Sequence, residues 1–317
     1  MKIKTNKVEF IMNPDTLNKL INAYADKLLT RILDKVPSGP RTYGFEYEFM
    51  PSAPLNLELM ESLYSFLPEC GFSKKNGSFI NSSGVYITFE PGGQIEYHST
   101  PLLPDEHDKL DRILLTIEQM NFDIKQNIGI DYITTGYIPD RENSPLCLTE
   151  KRYIDLHERM SESGTRGREM MKGTASIHFH VLIRFAEEIA PLFLNLCAMA
   201  KSDDFKMTAK RRDIWDNTDP SRCGLPFQDV NENSSTEQVI REIVRVGVSA
   251  AVLGEKIPFF KKQETDFDKF LYHLTTIFTD VRVNIKGPTF ELRTPDSIGR
   301  SGFEKLWTKF ISINEQI

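Results

Sequence analysis

Residues 84–99 read GVYITFEPGGQIEYHS, two short alternating runs about a Pro91-Gly92-Gly93 turn. Before the turn, Val85, Ile87 and Phe89 alternate with Tyr86, Thr88 and Glu90; after it, Ile95 and Tyr97 alternate with Gln94, Glu96 and His98. Successive side chains of a strand point to opposite faces. Each arm therefore has an apolar face for a core and a polar face, which carries Glu90, Glu96 and His98. Glycine permits positive φ and proline removes a ladder donor, so Pro-Gly-Gly marks the turn of a hairpin. An ordinary amphipathic hairpin with a solvated outer face would show the same alternation. Here the alternation recurs, with ionisable side chains on one face, in three further places.

The first is Thr42–Met50, TYGFEYEFM, where Phe45, Tyr47 and Phe49 alternate with Gly44, Glu46 and Glu48. Carboxylates at i and i+2 share a strand face with Cβ atoms roughly 7 Å apart. Such a pair is costly when partly buried and cheap on a wet surface or around a divalent cation. The second is Met170–Arg184, MMKGTASIHFHVLIR, expected as a strand with Ser176, His178 and His180 on its polar face. Two histidines at this spacing can ligate metal, though the pattern also arises by chance. The third is Asp280–Arg293, where Val281, Val283 and Ile285 alternate with Arg282, Asn284 and Lys286, and Phe290 and Leu292 alternate with Glu291 and Arg293.

Between these runs the apolar spacing is helical. Helices are expected over residues 14–36, 55–67, 105–127, 152–160, 186–200, 236–252, 267–278 and 302–313, with Pro191 kinking or opening the fifth. A strand is expected over 130–138, a turn-rich β-connection over 71–83, and a flexible break in SESGTRGRE after residue 160. The run KSDDFKMTAKRRDIWDNTDPSRCGLPF (201–227) reads as a long basic loop bringing Lys210, Arg211, Arg212 and Arg222 together with Trp215. No internal repeat or linker divides the chain, so residues 1–317 are expected to form one domain.

With 40% hydrophobic and 26% charged residues, the chain has an ordinary globular composition. Its net charge of −6 argues against nucleic acid as the main partner. No apolar stretch approaches bilayer-spanning length, so no membrane partner is expected. Cys70, Cys147, Cys197 and Cys223 form no CxxC pair, and the N-terminal MKIKTNKVEFIMNPD lacks the apolar run of a secretory signal. Both features suggest a cytoplasmic protein with free thiols.

If the alternating runs share a sheet, it is antiparallel or mixed and covered by helices on one side. Five carboxylates then converge on the other face, which is unfavourable unless cations neutralise them. An oxygen-rich set suits Mg²⁺ or Mn²⁺, and Mg²⁺ commonly bridges carboxylates to substrate phosphates. No GxxxxGK[ST] or GxGxxG is present. The residues themselves thus point to metal-dependent phosphoryl transfer without a glycine-rich phosphate loop.

Six segments carry a resemblance: GFEYEF (44–49), ITFEPGGQIEYHSTPL (87–102), MMKGTASIHFHV (170–181), RRDIWDNTDPSRCGLPF (211–227), HLTTIFTDVRV (273–283) and FELR (290–293). In this order they resemble the plant and proteobacterial type of glutamate–cysteine ligase, a carboxylate–amine ligase of glutamine-synthetase-like fold. The E-P-G-G-Q-x-E and R-x-x-I-W-x-x-T-D-x-x-R runs are its specific motifs. The resemblance implies an α+β fold with a curved, mainly antiparallel sheet of glutamine-synthetase type. Helices would lie on its convex face and the active site on its concave face. It also implies the ATP- and Mg²⁺-dependent joining of glutamate's γ-carboxylate to cysteine's amine through γ-glutamyl phosphate, the opening step of glutathione-type thiol synthesis. By match to the motifs, Glu46, Glu48, Glu90, Glu96 and Glu291 would be metal ligands. Arg293, Glu48 and Glu90 would be catalytic, with Arg293 facing the transferred phosphoryl group. Arg211, Arg222, Lys172 and Thr174 would contact substrate, and Trp215 either lines the amino-acid pocket or belongs to the core. His178, Ser176 and Arg282 would contact ATP, with His178 a metal ligand or a nucleotide contact. Monomer and homodimer both remain open.

The chain departs from the plant pattern at two places. Lys172-Gly173-Thr174 stands where Leu-Arg-Thr is expected, and His180 where those enzymes have Asn. The loss of an Arg beside a substrate carboxylate opens a second reading, the same chemistry with another amine or amino acid as acceptor. A nucleotide-binding regulator without turnover and a guanidino kinase are the remaining alternatives.

Overall fold

The computed structural model of the protein describes residues 14–262 and 266–317; most of the polar N-terminal run, residues 1–13, lies outside them. In chain order, α1 (Pro14–Leu33) leads to β1 (Tyr43–Pro51) and α2 (Leu57–Phe66). Two hairpins follow, β2 (Ser73–Lys75) with β3 (Ser78–Ile80), and β4 (Tyr86–Phe89) with β5 (Ile95–His98). Then come α3 (His107–Ile128), β6 (Tyr132–Ile133), α4 (Lys151–Ser163), α5 (Gly167–Gly173), β7 (Ile177–Leu182), α6 (Ile189–Met199), α7 (Ala209–Asp216) and β8 (Cys223–Gly224). The chain closes with α8 (Thr236–Ser249), α9 (Phe267–Leu274), β9 (Phe278–Thr279), β10 (Val281–Asn284), β11 (Thr289–Leu292) and α10 (Arg300–Asn314).

Among the described residues, nine strands form one antiparallel sheet in the order β10-β11-β7-β1-β5-β4-β3-β2, with β6 added at the end of β1. The short β8 and β9 pair in parallel apart from it. The apolar alternation read from the sequence packs as a core: Phe45 meets Phe303 edge-on at 4.8 Å, and Phe179 stacks on Phe310 of α10 at 5.1 Å. Each such aromatic pair contributes about 0.5–1.5 kcal/mol beyond its area burial. A second apolar cluster joins Leu156 and Met160 of α4, Met170 and Met171 of α5, and Ile214 and Trp215 of α7. It stands beside the polar face of the sheet.

The hairpin of residues 84–99 forms as expected, with Thr88 opposite Glu96 and Tyr86 opposite His98. Gly93 takes φ +83° in its turn. At Gly92 a Cβ would fall 2.6 Å from the Lys172 carbonyl oxygen, so only glycine lets the turn approach α5 this closely. Gln94 ties the two together. Its Oε1 accepts from Gly92 N–H at 2.8 Å, and its Nε2 donates to Met171 O and Thr174 O at 3.2 and 2.9 Å.

Three expectations are corrected. The strand over 130–138 shrinks to Tyr132–Ile133, paired with Pro51 and Met50, because the following residues leave β1 for the end of α5, where Tyr137 bridges Thr174 and Ile138 N–H donates to Gly173 O. The strand expected over 170–184 begins only at Ile177, since Met170–Gly173 close α5. The basic loop over 201–227 contains a helix, α7, followed by β8. No helix among the described residues is long and apolar enough to cross a membrane.

Candidate active site

Strand register builds the site. Glu46 lies opposite His98 on one side and His178 on the other; Glu48 lies opposite Glu96. His180 lies opposite Gly44 and Glu291, and Glu291 opposite Arg282. Directly opposed residues of an antiparallel pair project to the same face. The ionisable side chains of β1, β5, β7, β10 and β11 therefore make one continuous polar row.

Within the row, Glu46 is ringed by imidazoles. Its Oε2 lies 2.5 Å from His178 Nδ1, and its Oε1 lies 3.4 Å from His180 Nε2 and 3.5 Å from His98 Nδ1. Ser176 donates to Glu48 Oε2 from its backbone N–H at 2.6 Å and its hydroxyl at 3.0 Å. Thr88 donates to Glu96 Oε2 at 2.6 Å, which also sits 3.1 Å from His98 Nε2. Glu291 Oε2 accepts from Arg282 Nε and Arg293 Nη1, both at 2.9 Å. The sequence placed five acids on this face and assigned their neutralisation to bound cations. The two guanidinium groups and three imidazoles that the sequence put on the same strand faces stand directly among those acids.

These neighbours set the ionisation. Burial alone would push the Glu46 carboxyl up; the surrounding imidazoles of His178, His180 and His98 outweigh it and hold Glu46 well below the usual carboxylate range. Glu291 is also held low against burial, by Arg282 and His180. Glu90 goes the other way: burial, and then repulsion from Glu96 and Glu48, push it well above the usual range. Burial and the nearby Glu96 also raise Glu48, against the pull of His178. His98 is raised well above its ordinary value by Glu96 and Glu46, and His180 is raised by Glu291 and Glu46, each against burial.

Glu46, Glu48, Glu90, Glu96, Ser176, His178, Arg282 and Arg293 line one cavity, together with Thr174 and Trp215. The apolar wall opposite the acids comes from Leu156, Met160, Met170, Met171 and Trp215. Trp215 lines the cavity and also packs in the second apolar cluster, and the Arg211 guanidinium stacks over its ring at 5.2 Å.

Three cations expected at the substrate are instead structural. Arg211 and Arg222 are both 0% exposed. Arg211 donates to the carbonyl oxygens of Arg293, Thr294 and Pro295 and to Asp296. Arg222 donates to Asp219, to Thr276 O and Oγ1, and to Ala251 O. The Lys172 ammonium turns to the Glu142 and Ser144 carbonyl oxygens. Conversely, Arg152 and Tyr153 of α4 line the cavity and were not singled out by the sequence. Arg152 is held by Thr275 Oγ1 and O and lies over the Tyr272 ring at 5.5 Å. Its sequence neighbourhood looks like any amphipathic helix, and only its packing reveals it.

The donor set fits a divalent cation. Among the described residues, three groups bring one ligand atom from each member within 4.8 Å of the others: Glu46–Glu96–His98, Glu46–His180–Glu291 and Glu48–Glu96–His178. Glu291 Oε1 and His180 Nε2 are buried with no hydrogen-bond partner. Glu90, expected as a ligand, belongs to none of the three groups.

The chain is 25% identical over 232 residues to the chloroplastic glutamate–cysteine ligase of Arabidopsis thaliana, covering 62% of this chain and 43% of that protein. It is 24% identical over 309 residues to the chloroplastic glutamate–cysteine ligase of Medicago truncatula, covering 85% and 59%. The chain spans about half the length of the curated relatives it matches. Residues 42–202, which carry β1, the 84–99 hairpin and the His178–His180 strand, match glutamate-cysteine ligase family 2 (GCS2). With just over half of the chain covered, this protein belongs to glutamate-cysteine ligase family 2.

Proposed function

We propose that the protein is an ATP-dependent ligase that joins the γ-carboxylate of glutamate to the amine of cysteine through γ-glutamyl phosphate. The observation that carries this reading is the polar row itself, five acids interleaved with three histidines and two arginines along register-aligned strands. The proposal includes a single catalytic domain, a curved sheet of glutamine-synthetase type, helices on its convex side and the reaction on its concave side. Four free cysteines support a reducing compartment such as the cytoplasm.

A carboxylate is a poor electrophile. A γ-carboxylate oxygen attacks the γ-phosphorus of ATP and ADP leaves. The amine then attacks the acyl carbon, the carbon–oxygen bond breaks, and phosphate leaves. Mg²⁺ or Mn²⁺, held by Glu46, Glu48, Glu96, His178 and Glu291, would neutralise charge on the triphosphate and on the acyl oxygens. Arg293, anchored by Glu291, faces the transferred phosphoryl group, with Arg282, Ser176 and His178 beside the nucleotide phosphates. Glu90, which lines the same cavity, is assigned the proton released when the ammonium becomes a nucleophile. Trp215 and Thr174 wall the amino-acid end of the cavity. The cavity encloses about 220 Å³. That is below the usual range for a drug-sized ligand and suits an amino acid better than a whole nucleotide.

One observation favours a second reading, another amine as acceptor. The family's Arg is replaced by Gly173, and the neighbouring Lys172 ammonium is engaged by two backbone carbonyls. Arg152, which lines the cavity from α4 with its guanidinium on Thr275, is then assigned to a substrate carboxylate. The test is ADP release with glutamate and a panel of amines. Release that needs both glutamate and cysteine, with a γ-glutamylcysteine mass, supports the first reading. Release with a different amine supports the second, and no release with any amine counts against both.

A further inference from the structure

We propose, resting on the ligase reading above, that the acceptor half of the cavity prefers a primary amine with an apolar body and no carboxylate to an amino acid. Glutamate and an amino-acid acceptor would each bring an α-carboxylate into a cavity that Glu46, Glu48, Glu90 and Glu96 already line. The described residues around it include three cations, Arg152, Arg282 and Arg293. Arg282 and Arg293 both donate to Glu291 Oε2 and are assigned to the phosphates. Arg152 serves one carboxylate: Thr275 takes two of its five N–H groups, through Oγ1 at 2.9 Å and O at 3.2 Å. The donor's α-carboxylate fills that place. A second carboxylate would enter beside like charges without a cation of its own, which is costly in a partly buried site.

The helix α5 turns its polar positions away from the cavity. The Lys172 ammonium is held by Glu142 O and Ser144 O. At Gly173 a Cβ would stand 3.0 Å from Ile138 O and 3.3 Å from Arg141 Cβ, so this position faces residues 138–141. The same helix gives the cavity Met170 and Met171. With Leu156, Met160 and Trp215 they form an apolar face fitted to an alkyl or aryl body, and methionine adapts to either.

Glu90 supplies the opposite pole. Its hairpin is tied to α5: Gln94 Nε2 donates to Met171 O and Thr174 O, and a Cβ at Gly92 would fall 2.7 Å from Lys172 Cα. The acid that meets the ammonium and the face that meets its body are thus held together. A molecule cationic at one end and apolar at the other complements them. The ammonium gives one proton to Glu90, and the nitrogen lone pair forms the bond to the acyl carbon of γ-glutamyl phosphate. The carbon–oxygen bond breaks, and phosphate leaves with the second proton that the nitrogen sheds.

The test gives the full chain Mg·ATP, glutamate and matched acceptors that differ only in the carboxylate: cysteamine and cysteine, isobutylamine and valine, isoamylamine and leucine, phenethylamine and phenylalanine. ADP release and the mass of the γ-glutamyl product are read. The expected result is a kcat/KM higher for the amine than for its amino acid by at least about 10-fold, the low end for one hydrogen bond to a charged group. Met171→Gln should raise KM for isoamylamine more than KM for ethylamine, a split that a general loss of folding would not produce. Hydroxylamine, which traps γ-glutamyl phosphate as the hydroxamate without using the apolar face, reports the first half-reaction separately. Hydroxamate with no amine product, or with cysteine used as well as or better than cysteamine, would overturn the inference and leave the ligase reading standing. An equal rise of both KM values in Met171→Gln would remove the apolar face from acceptor binding. No hydroxamate and no ADP with any partner would overturn the ligase reading and the inference with it.

Discussion

Arg222 gives the sharpest structural prediction. Its guanidinium is wholly buried, pairs with Asp219 Oδ2 at 2.9 Å, and donates to Thr276 O and Oγ1 at 3.1 Å and to Ala251 O. Arg222→Ala leaves Asp219, itself 1% exposed, with Arg159 as its remaining cation and strips two buried carbonyls of their donor. Removing one partner of a buried ion pair costs about 3–5 kcal/mol, so we expect a loss of about 4 kcal/mol. At about 2 °C per kcal/mol for a chain of this size, the melting temperature falls by about 8 °C. Arg222→Lys recovers only part, because a point charge cannot reproduce the planar fork. The assay is thermal and urea unfolding followed by circular dichroism. An Arg222→Ala protein within about 1 kcal/mol of wild type, with only KM raised, would refute the structural role and return Arg222 to the substrate.

Further outcomes follow from the site and its surroundings. Glu90→Gln lowers kcat by about three orders of magnitude, several kcal/mol of lost transition-state support, yet leaves the melting temperature equal or higher because it removes a carboxyl strained by burial and by Glu96. Wild-type kcat in that variant would put the chemistry elsewhere. Arg152→Ala raises KM for an amino-acid substrate about 10- to 100-fold with kcat little changed, the worth of one charge-assisted hydrogen bond; unchanged KM would remove Arg152 from the substrate. Burial, with the Arg222 charge adding to it, lowers the His273 imidazole from 6.5 to about 4. The unfolded chain therefore binds the extra proton between these values, so the contribution is complete above about pH 6.5 and lost as pH falls through 4, about 3 kcal/mol in all. Urea melts of wild type and His273→Gln at neutral pH and near pH 4 check this: the wild type loses more, and equal losses would contradict it.

The sequence made faces legible and left neighbours hidden. Alternation in residues 43–49, 85–98 and 177–181 told which side chains share a face, because the strand period is two. Register was not in the pattern, so the ring of His98, His178 and His180 around Glu46 became visible only when the strands were paired. His98 carried a faint signal, two residues from Glu96 on the same face. Arg211 and Arg222 misled because a run of charged residues reads the same whether its guanidinium groups meet a substrate or fold inward onto carbonyl oxygens. Strand ends were missed where other contacts overrode the alternation: the bridge from Tyr137 to Thr174 for β6, and the helical turn through Gly173 for β7. Gln94 had an unremarked part in the hairpin motif, since its amide bridges two segments distant in sequence.

The reaction proposed for the polar row is tested most directly by isotope transfer. Glutamate labelled with ¹⁸O in its γ-carboxylate is turned over with unlabelled ATP and cysteine, and the released phosphate is analysed by mass. Passage through γ-glutamyl phosphate predicts one ¹⁸O atom in each phosphate, because the oxygen that attacks phosphorus departs with it. Unlabelled phosphate released alongside γ-glutamylcysteine would contradict the acyl-phosphate route.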